Sequence, residues 1–257
     1  MRQFQKFKEL HEGSEPLILG NVWNVQSARL VESMNYKALG TSSAAIASSL
    51  GYSDGQQMSI QELFLIVGRI LDNTHLPLSV DLEHGYGENL KQIADIIEEL
   101  HNMGVAGINL EDSYLQDGIR VQQEVNAYNQ FLEKLVSELQ HRRVEIFVNI
   151  RIDSFLINQD NAITEIEKRI KSFQKDGIHG IFIPGIVKQA DIEQVVAWSA
   201  LPVNVMCFPG LPTFAELSAF GVKRISMGNF LYEKVYKAGA DFLHTIQQEQ
   251  SFNSMIS

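Results

Sequence analysis

The chain has 257 residues, with 31 Asp and Glu against 21 Lys and Arg, a formal net charge of −10. That balance argues against nucleic acid or an anionic membrane as a partner, because both call for a basic face. One cysteine, Cys207, leaves no internal disulfide and reads as a small buried hydrophobe in a reducing compartment. No run approaches the roughly 18 apolar residues of a membrane span. Met1 to Glu12 is charged and amphipathic, unlike a signal peptide's apolar core, so a cytoplasmic location is expected.

In chain order, the sequence predicts strands at Pro16–Asn21, Lys37–Thr41, Leu78–Asp81, Gly107–Glu111, Glu145–Arg151, Gly180–Pro184, Pro202–Met206 and Arg224–Gly228. Each is a short apolar run, as expected of a parallel strand covered on both faces. Several follow a glycine that stops the preceding helix, at Gly104, Gly177 and Gly221, the position where a left-handed residue is favoured. Helical patterns lie between them. Ile93, Ile96, Ile97, Leu100 and Met103 share one helical face, as do Ile166, Ile170 and Phe173,. Ser59 with Glu62 and Thr213 with Glu216 have the spacing of capping boxes. Eight alternations of strand and helix point to one (β/α)8 TIM-type barrel over residues 1–257,. The rival, a doubly wound open sheet, seldom needs eight strands of such regularity.

In such a barrel the chemistry sits where strands end. Asp81 and Glu83 close the third run, Glu111 the fourth and Arg151 the fifth. Three carboxylates this close repel unless a cation or arginine lies among them. Oxygen ligands alone suit a hard ion, Mg²⁺ or Mn²⁺, and Arg151 can then pair with a substrate carboxylate. The plainer alternative is that these acids cap helices and pair with basic side chains on the rim. No lysine lies within a predicted strand interior, which disfavours Schiff-base aldolase chemistry. No Gly-x-Ser-x-Gly elbow appears either, which disfavours acyl transfer.

Two segments are distinctive: Gly40-Thr41-Ser42-Ser43-Ala44-Ala45-Ile46-Ala47 and Asp81-Leu82-Glu83-His84-Gly85-Tyr86-Gly87. Together with Asn21-Val22-Trp23-Asn24, Gly107 to Ser113, Arg151-Ile152-Asp153 and Pro202 to Val205, they resemble the isocitrate lyase/phosphoenolpyruvate mutase superfamily. The resemblance implies a Mg²⁺ site at Asp54, Asp81, Glu83 and Glu111, several acting through water. It implies that Thr41, Ser42 and Ser43 hold the substrate's carboxylate or oxo oxygen, with Trp23, Arg151 and Asn204 as further substrate contacts. It also implies dimers that swap the last helix, after Gly228, and pair into tetramers. Members make or break a bond beside a 2-oxo acid.

The sequence departs from that pattern in the gating loop. Lyases of the superfamily carry Lys-Lys-Cys-Gly-His there and the phosphonate mutases a lysine and an asparagine, whereas this chain reads Ser113-Tyr114-Leu115-Gln116-Asp117-Gly118-Ile119-Arg120-Val121-Gln122. The lyases' glutamate after the sixth strand is replaced by Ile183-Pro184-Gly185-Ile186. Asn24 stands where many relatives have aspartate. These losses point to a smaller substrate, a short 2-oxo or 2-hydroxy (di)carboxylic acid such as oxaloacetate. The expected activity is that of a metal-dependent lyase or decarboxylase with Glu111, Arg151, Tyr114 and Arg120 in catalytic roles. A phosphonate C–P enzyme and a metabolite-binding protein without turnover are the alternatives. The stretch Ser113 to Asn126, polar and containing Gly118, is expected to be a mobile lid.

Overall fold

Glycine-bounded apolar runs and amphipathic helices alternate through the computed structural model, which describes residues 3–256, apart from the side chain of Gln159. Helix α1 (Gln3–Leu10) precedes β1 (Leu17–Val22), α2 (Val25–Ser33), β2 (Leu39–Thr41), α3 (Ser43–Leu50), α4 (Ile60–Leu71) and β3 (Leu78–Asp81). Next come α5 (Leu90–Met103), β4 (Gly107–Glu111), β5 (Ser113–Gln116), β6 (Ile119–Gln122), α6 (Val125–His141) and β7 (Phe147–Arg151). The remainder is α7 (Ser154–Ile157), α8 (Ala162–Phe173), β8 (Gly180–Ile183), α9 (Gln189–Trp198), β9 (Val203–Met206), α10 (Phe214–Ala219), β10 (Arg224–Ser226), α11 (Phe230–Glu249) and α12 (Asn253–Ile256).

Eight parallel strands close in the order β1–β10–β9–β8–β7–β4–β3–β2, the (β/α)8 barrel that the alternation predicts,. The predicted strands fall within two residues of the observed ones at either end. Outward-facing Val80, Ile108, Ile150, Ile181, Val205 and Ile225 meet the inner faces of the helices, including Ile93, Ile97 and Leu100 of α5 and Ile166, Ile170 and Phe173 of α8. Burying one such side chain contributes roughly 1.5–3 kcal/mol. Phe7 of α1 packs with Leu17, Leu19, Ala38, Ala106 and Phe147, plugging the end of the barrel at which the strands begin.

Both predicted capping boxes form. A third appears at Asn24, whose Oδ1 accepts from the Ser27 amide at 2.9 Å while Ser27 Oγ accepts from the Asn24 amide at 3.1 Å. The amide oxygen thus starts α2 as a carboxylate would, a physical account of Asn24.

The stretch expected to act as a lid, Ser113–Asn126, begins as a hairpin: its first ten residues pair antiparallel, Gln116 with Ile119, and α6 begins at Val125. The two turn residues, Asp117 (φ 52) and Gly118 (φ 77), both lie in the left-handed region, the requirement of a type I′ turn, for which Asp-Gly is a preferred pair. Cys207 is exposed rather than buried. It lies one residue past β9, where the chain has left the barrel wall for the rim.

Candidate active site

The exits of β2 and β3 are tied together by side chains. Thr41 Oγ1 accepts from the Asp81 amide at 2.8 Å, and Ser43 Oγ donates to Asp81 Oδ2 at 2.8 Å. Ser42 caps α3, accepting from the Ala45 amide. Asp81 is buried, and its other oxygen, Oδ1, has no hydrogen-bond partner. Beyond it the backbone turns sharply, with Glu83 at φ 49 and Tyr86 at φ 59. Such conformations cost of order 1–3 kcal/mol each and persist where the surroundings enforce them, often at functional sites. Tyr86 Oη donates to Glu83 Oε1 at 2.8 Å.

Burial, followed by the charges of Asp54 and Asp81, pushes the Glu83 carboxyl up to about 7. Burial and Asp81 likewise raise Asp54. Asp54, Asp81 and Glu83 therefore feel one another, and Asp81 Oδ1 is left without a donor, an arrangement that a divalent cation would relieve. The donor set, all carboxylate oxygen, fits Mg²⁺ or Mn²⁺. Among the described residues, no three His, Cys, Asp or Glu side chains are drawn into a direct ligand cage, so some ligation would have to run through water.

Glu111 belongs to a different cluster. Its Oε1 lies 2.6 Å from Arg151 Nη1 and its Oε2 2.5 Å from Arg120 Nη1. The same two arginines bind Asp153, Arg151 Nε at 2.7 Å from Oδ1 and Arg120 Nη1 at 2.8 Å from Oδ2. Ser113 Oγ donates to Asp153 Oδ2 at 2.5 Å. Burial holds the Glu111 carboxyl above its usual range, only partly opposed by Arg151. For Asp153 burial also acts upward, but Arg151 and Arg120 outweigh it and hold the carboxyl low. Two cations facing two buried anions make a balanced cluster, in which removing any one member leaves a charge exposed to low dielectric.

A cavity of about 40 Å³ opens beside Asp81, bordered by Thr41, Ser42, Ser79, Asn109, Arg151, Phe182 and Arg224, among others. Of the residues expected from the sequence, Thr41, Ser42, Asp81 and Arg151 line it. Ser43, Glu83, Glu111 and Asp54 adjoin it through the bonds and charges above. Trp23 instead is a core residue, its ring set edge-on to Tyr232 with centroids 5.2 Å apart. Tyr114 stands on the hairpin beside His84, ring centroids 6.2 Å apart. Asn204 lies within the barrel with its amide against Asn149. Sequence reasoning placed Asp153 and Asn109 within motifs without a role of their own, and passed over Asn149 and Arg224. The signal for Arg224 was present: a charged residue heading a three-residue strand.

The chain matches the family model described as "Phosphoenolpyruvate phosphomutase" over residues 7–247. It is 30% identical over 234 residues to an uncharacterized protein of Mycobacterium tuberculosis, covering 91% of this chain and 86% of that one. It is 28% identical over 255 residues to an oxaloacetate decarboxylase of Pseudomonas entomophila, covering 92% and 82%. A crystal structure from Burkholderia cenocepacia, of a protein assigned as a phosphonomutase, superposes with a TM-score of 0.87 at 34% identity, covering 94% of this chain and 99% of that chain.

Proposed function

The chain belongs to the phosphoenolpyruvate phosphomutase family, and from that premise we propose that this enzyme is a Mg²⁺-dependent lyase or decarboxylase acting on a short 2-oxo or 2-hydroxy (di)carboxylic acid. The observation that carries the reading is Asp81 Oδ1, a buried carboxylate oxygen without a donor, at a cavity bordered by Thr41, Ser42 and Arg151. Asp54, Asp81, Glu83 and Glu111 would hold the divalent ion, several of them through water. When bound, the ion supplies Lewis-acid polarisation of the substrate's oxo group. Thr41, Ser42 and Ser43 then orient the substrate carboxylate with hydroxyl and amide donors, and Arg151 fixes it from the side. Tyr114, on the hairpin, carries the proton that the lyases' gating-loop motif would otherwise supply, while Arg120, kept charged by Glu111 and Asp153, sets the hairpin over the site. Trp23 and Asn204 support the site from behind.

The relative named oxaloacetate decarboxylase favours oxaloacetate as the first substrate to try. A second reading, phosphonate C–P chemistry, rests on the likeness to the Burkholderia phosphonomutase. A screen of short 2-oxo acids with Mg²⁺, following pyruvate and CO₂ release, tests the first. Phosphorus NMR on phosphonopyruvate tests the second. No turnover of any 2-oxo acid would overturn the lyase reading.

The proposal extends to assembly. Helix α11 buries none of its residues and exposes Val235, Tyr236, Phe242 and Leu243, although a helix of its 20 residues reaches about 30 Å. A groove of about 580 Å³ bordered by Leu10, Ile18, Met34, Tyr36 and Phe214 lies beside β1. We read the helix as exchanged between the subunits of a homodimer, itself paired into a tetramer. Among the described residues no helix is long and apolar enough to cross a membrane.

A further inference from the structure

Among the described residues, the largest fully buried side chain is a cation, Arg224. It stands on β10 between Leu17 of β1 and Asn204 of β9. From there it crosses the lumen to β4, on the opposite wall, where its Nη2 donates to Asn109 Oδ1 at 2.8 Å. Asn149 and Asn204 continue the row of amides beside it. Gly180 makes room for that row, since a Cβ there would lie 2.5 Å from Asn149 Oδ1 and 3.2 Å from Asn204 Nδ2. Arg224 Nε and Nη1 have no hydrogen-bond partner at all, and neither does the nearby Ser79 hydroxyl. Burial pushes the guanidinium down to about 9, which leaves it cationic at neutral pH.

A buried charge with unpaired donors is costly, several kcal/mol in typical cases. An apolar residue of similar size would pack the lumen without that cost. The other arginines of the site each grip carboxylates, whereas Arg224 makes no ion pair and feels Asp81 only as a charge across the cavity. Its side chain borders the same cavity as Thr41, Ser42, Asp81 and Arg151. At about 40 Å³ this space takes one small anionic group, or on the order of three waters.

We propose that Arg224 is a second anion-binding guanidinium of the substrate cavity, which receives a charged oxygen of the bound acid from beneath and selects dianionic over monoanionic short acids. The inference rests on the reading of this cavity as a 2-oxo acid site and deepens it to dianions. Arg151 holds one carboxylate at the rim, and Arg224 answers the second negative charge at the floor. The free donors of Arg224 are then paired only in the complex, so a ligand lacking that charge leaves them unpaired and is disfavoured.

Oxalate and pyruvate test this, since they share a shape and differ in one charged end. Binding of each to the full-length protein with Mg²⁺ is measured by calorimetry for wild type, Arg224→Met, Arg224→Lys and Arg151→Gln. The expectation is that Arg224→Met weakens oxalate at least about tenfold and pyruvate less than about threefold, with Arg224→Lys in between. Its melting temperature should hold or rise, because an apolar replacement removes an unpaired buried charge. Arg151→Gln should weaken both probes. Equal weakening of both probes by Arg224→Met, or no change in either, would overturn the role given to Arg224 while Arg151→Gln still upholds the cavity. No effect of Arg151→Gln, or no oxalate binding by wild type, would overturn the site reading and this inference together.

Discussion

Arg120, on the second strand of the hairpin, reaches back to Glu111 at the end of β4, Nη1 to Oε2 at 2.5 Å. The hairpin is thereby fastened to the barrel mouth by a charge pair, with Asp153 and Ser113 on the same guanidinium nitrogen. A second fastening is steric: Leu115 lies against Gly55, so closely that a Cβ there would run into it, and Gly55 follows Asp54. The hairpin therefore touches both the ion cluster and the loop that carries a proposed metal ligand.

Replacing Arg120 with Ala should free the hairpin without unfolding the barrel. Arg151 still pairs with both carboxylates, so we expect a loss of about 1–3 kcal/mol and a fall of several degrees in melting temperature. Amide exchange across residues 113–122 should quicken in the variant. In wild type the same amides should gain protection when pyruvate and Mg²⁺ are added together, as a closing lid requires. Equal, strong protection with and without ligand would mark a fixed structural hairpin.

Glu83 makes stability depend on pH in a defined sense. Its folded pKa of about 7 lies above the 4.5 of an unperturbed glutamate. An acid so shifted stabilises the fold while protonated; the contribution is complete below pH 4.5 and is lost as pH rises to 7. The shift corresponds to about 3 kcal/mol at most. In EDTA the melting temperature should therefore fall across this window, and Glu83→Gln should flatten the slope. Mg²⁺ should stabilise more at pH 8 than at pH 6, since its ligands must be deprotonated. A flat profile in EDTA for wild type would show that the three carboxylates do not interact as described.

Asp81→Ala should remove metal-dependent turnover, by ~100-fold or more, and keep the fold. Its carboxylate holds Ser43 and leaves Oδ1 free, so its removal eases repulsion rather than opening an apolar hole. Unchanged Mg²⁺-dependent activity, or loss of the folded state by circular dichroism, would contradict the assignment.

Light scattering should find wild type as a dimer or tetramer, and a chain ending at Gly228 as monomer or aggregate. Leu231 and Tyr232 of α11 pack against the core, but Val235, Tyr236, Phe242 and Leu243 stand exposed, and exposed patches of this kind mark interfaces. A monomeric wild type would remove the exchange of helices.

The barrel was legible because its signals are local. Glycine stops, capping pairs and apolar runs such as Gly107 to Glu111 each fix an element without knowledge of its neighbours, and eight repetitions of one phrase leave few architectures. The carboxylates at the strand ends were legible too, since the end of a strand is itself a sequence position. Asp117-Gly118 carried a hairpin signal that flanking polar residues obscured. What the sequence could not supply was partnership across the barrel. Which cations meet Glu111 depends on β4 lying beside β7 and on the hairpin folding back, contacts that link Glu111 to Arg120 and Arg151. Arg224 and Asn109 are 115 positions apart and meet only because closure of the sheet sets β10 opposite β4. Exposure of Cys207 and the edge-on packing of Trp23 against Tyr232 were decided in the same way. Local propensity and periodicity act along the chain, whereas ion pairing and burial act through space, and only the closed barrel brings those distances together.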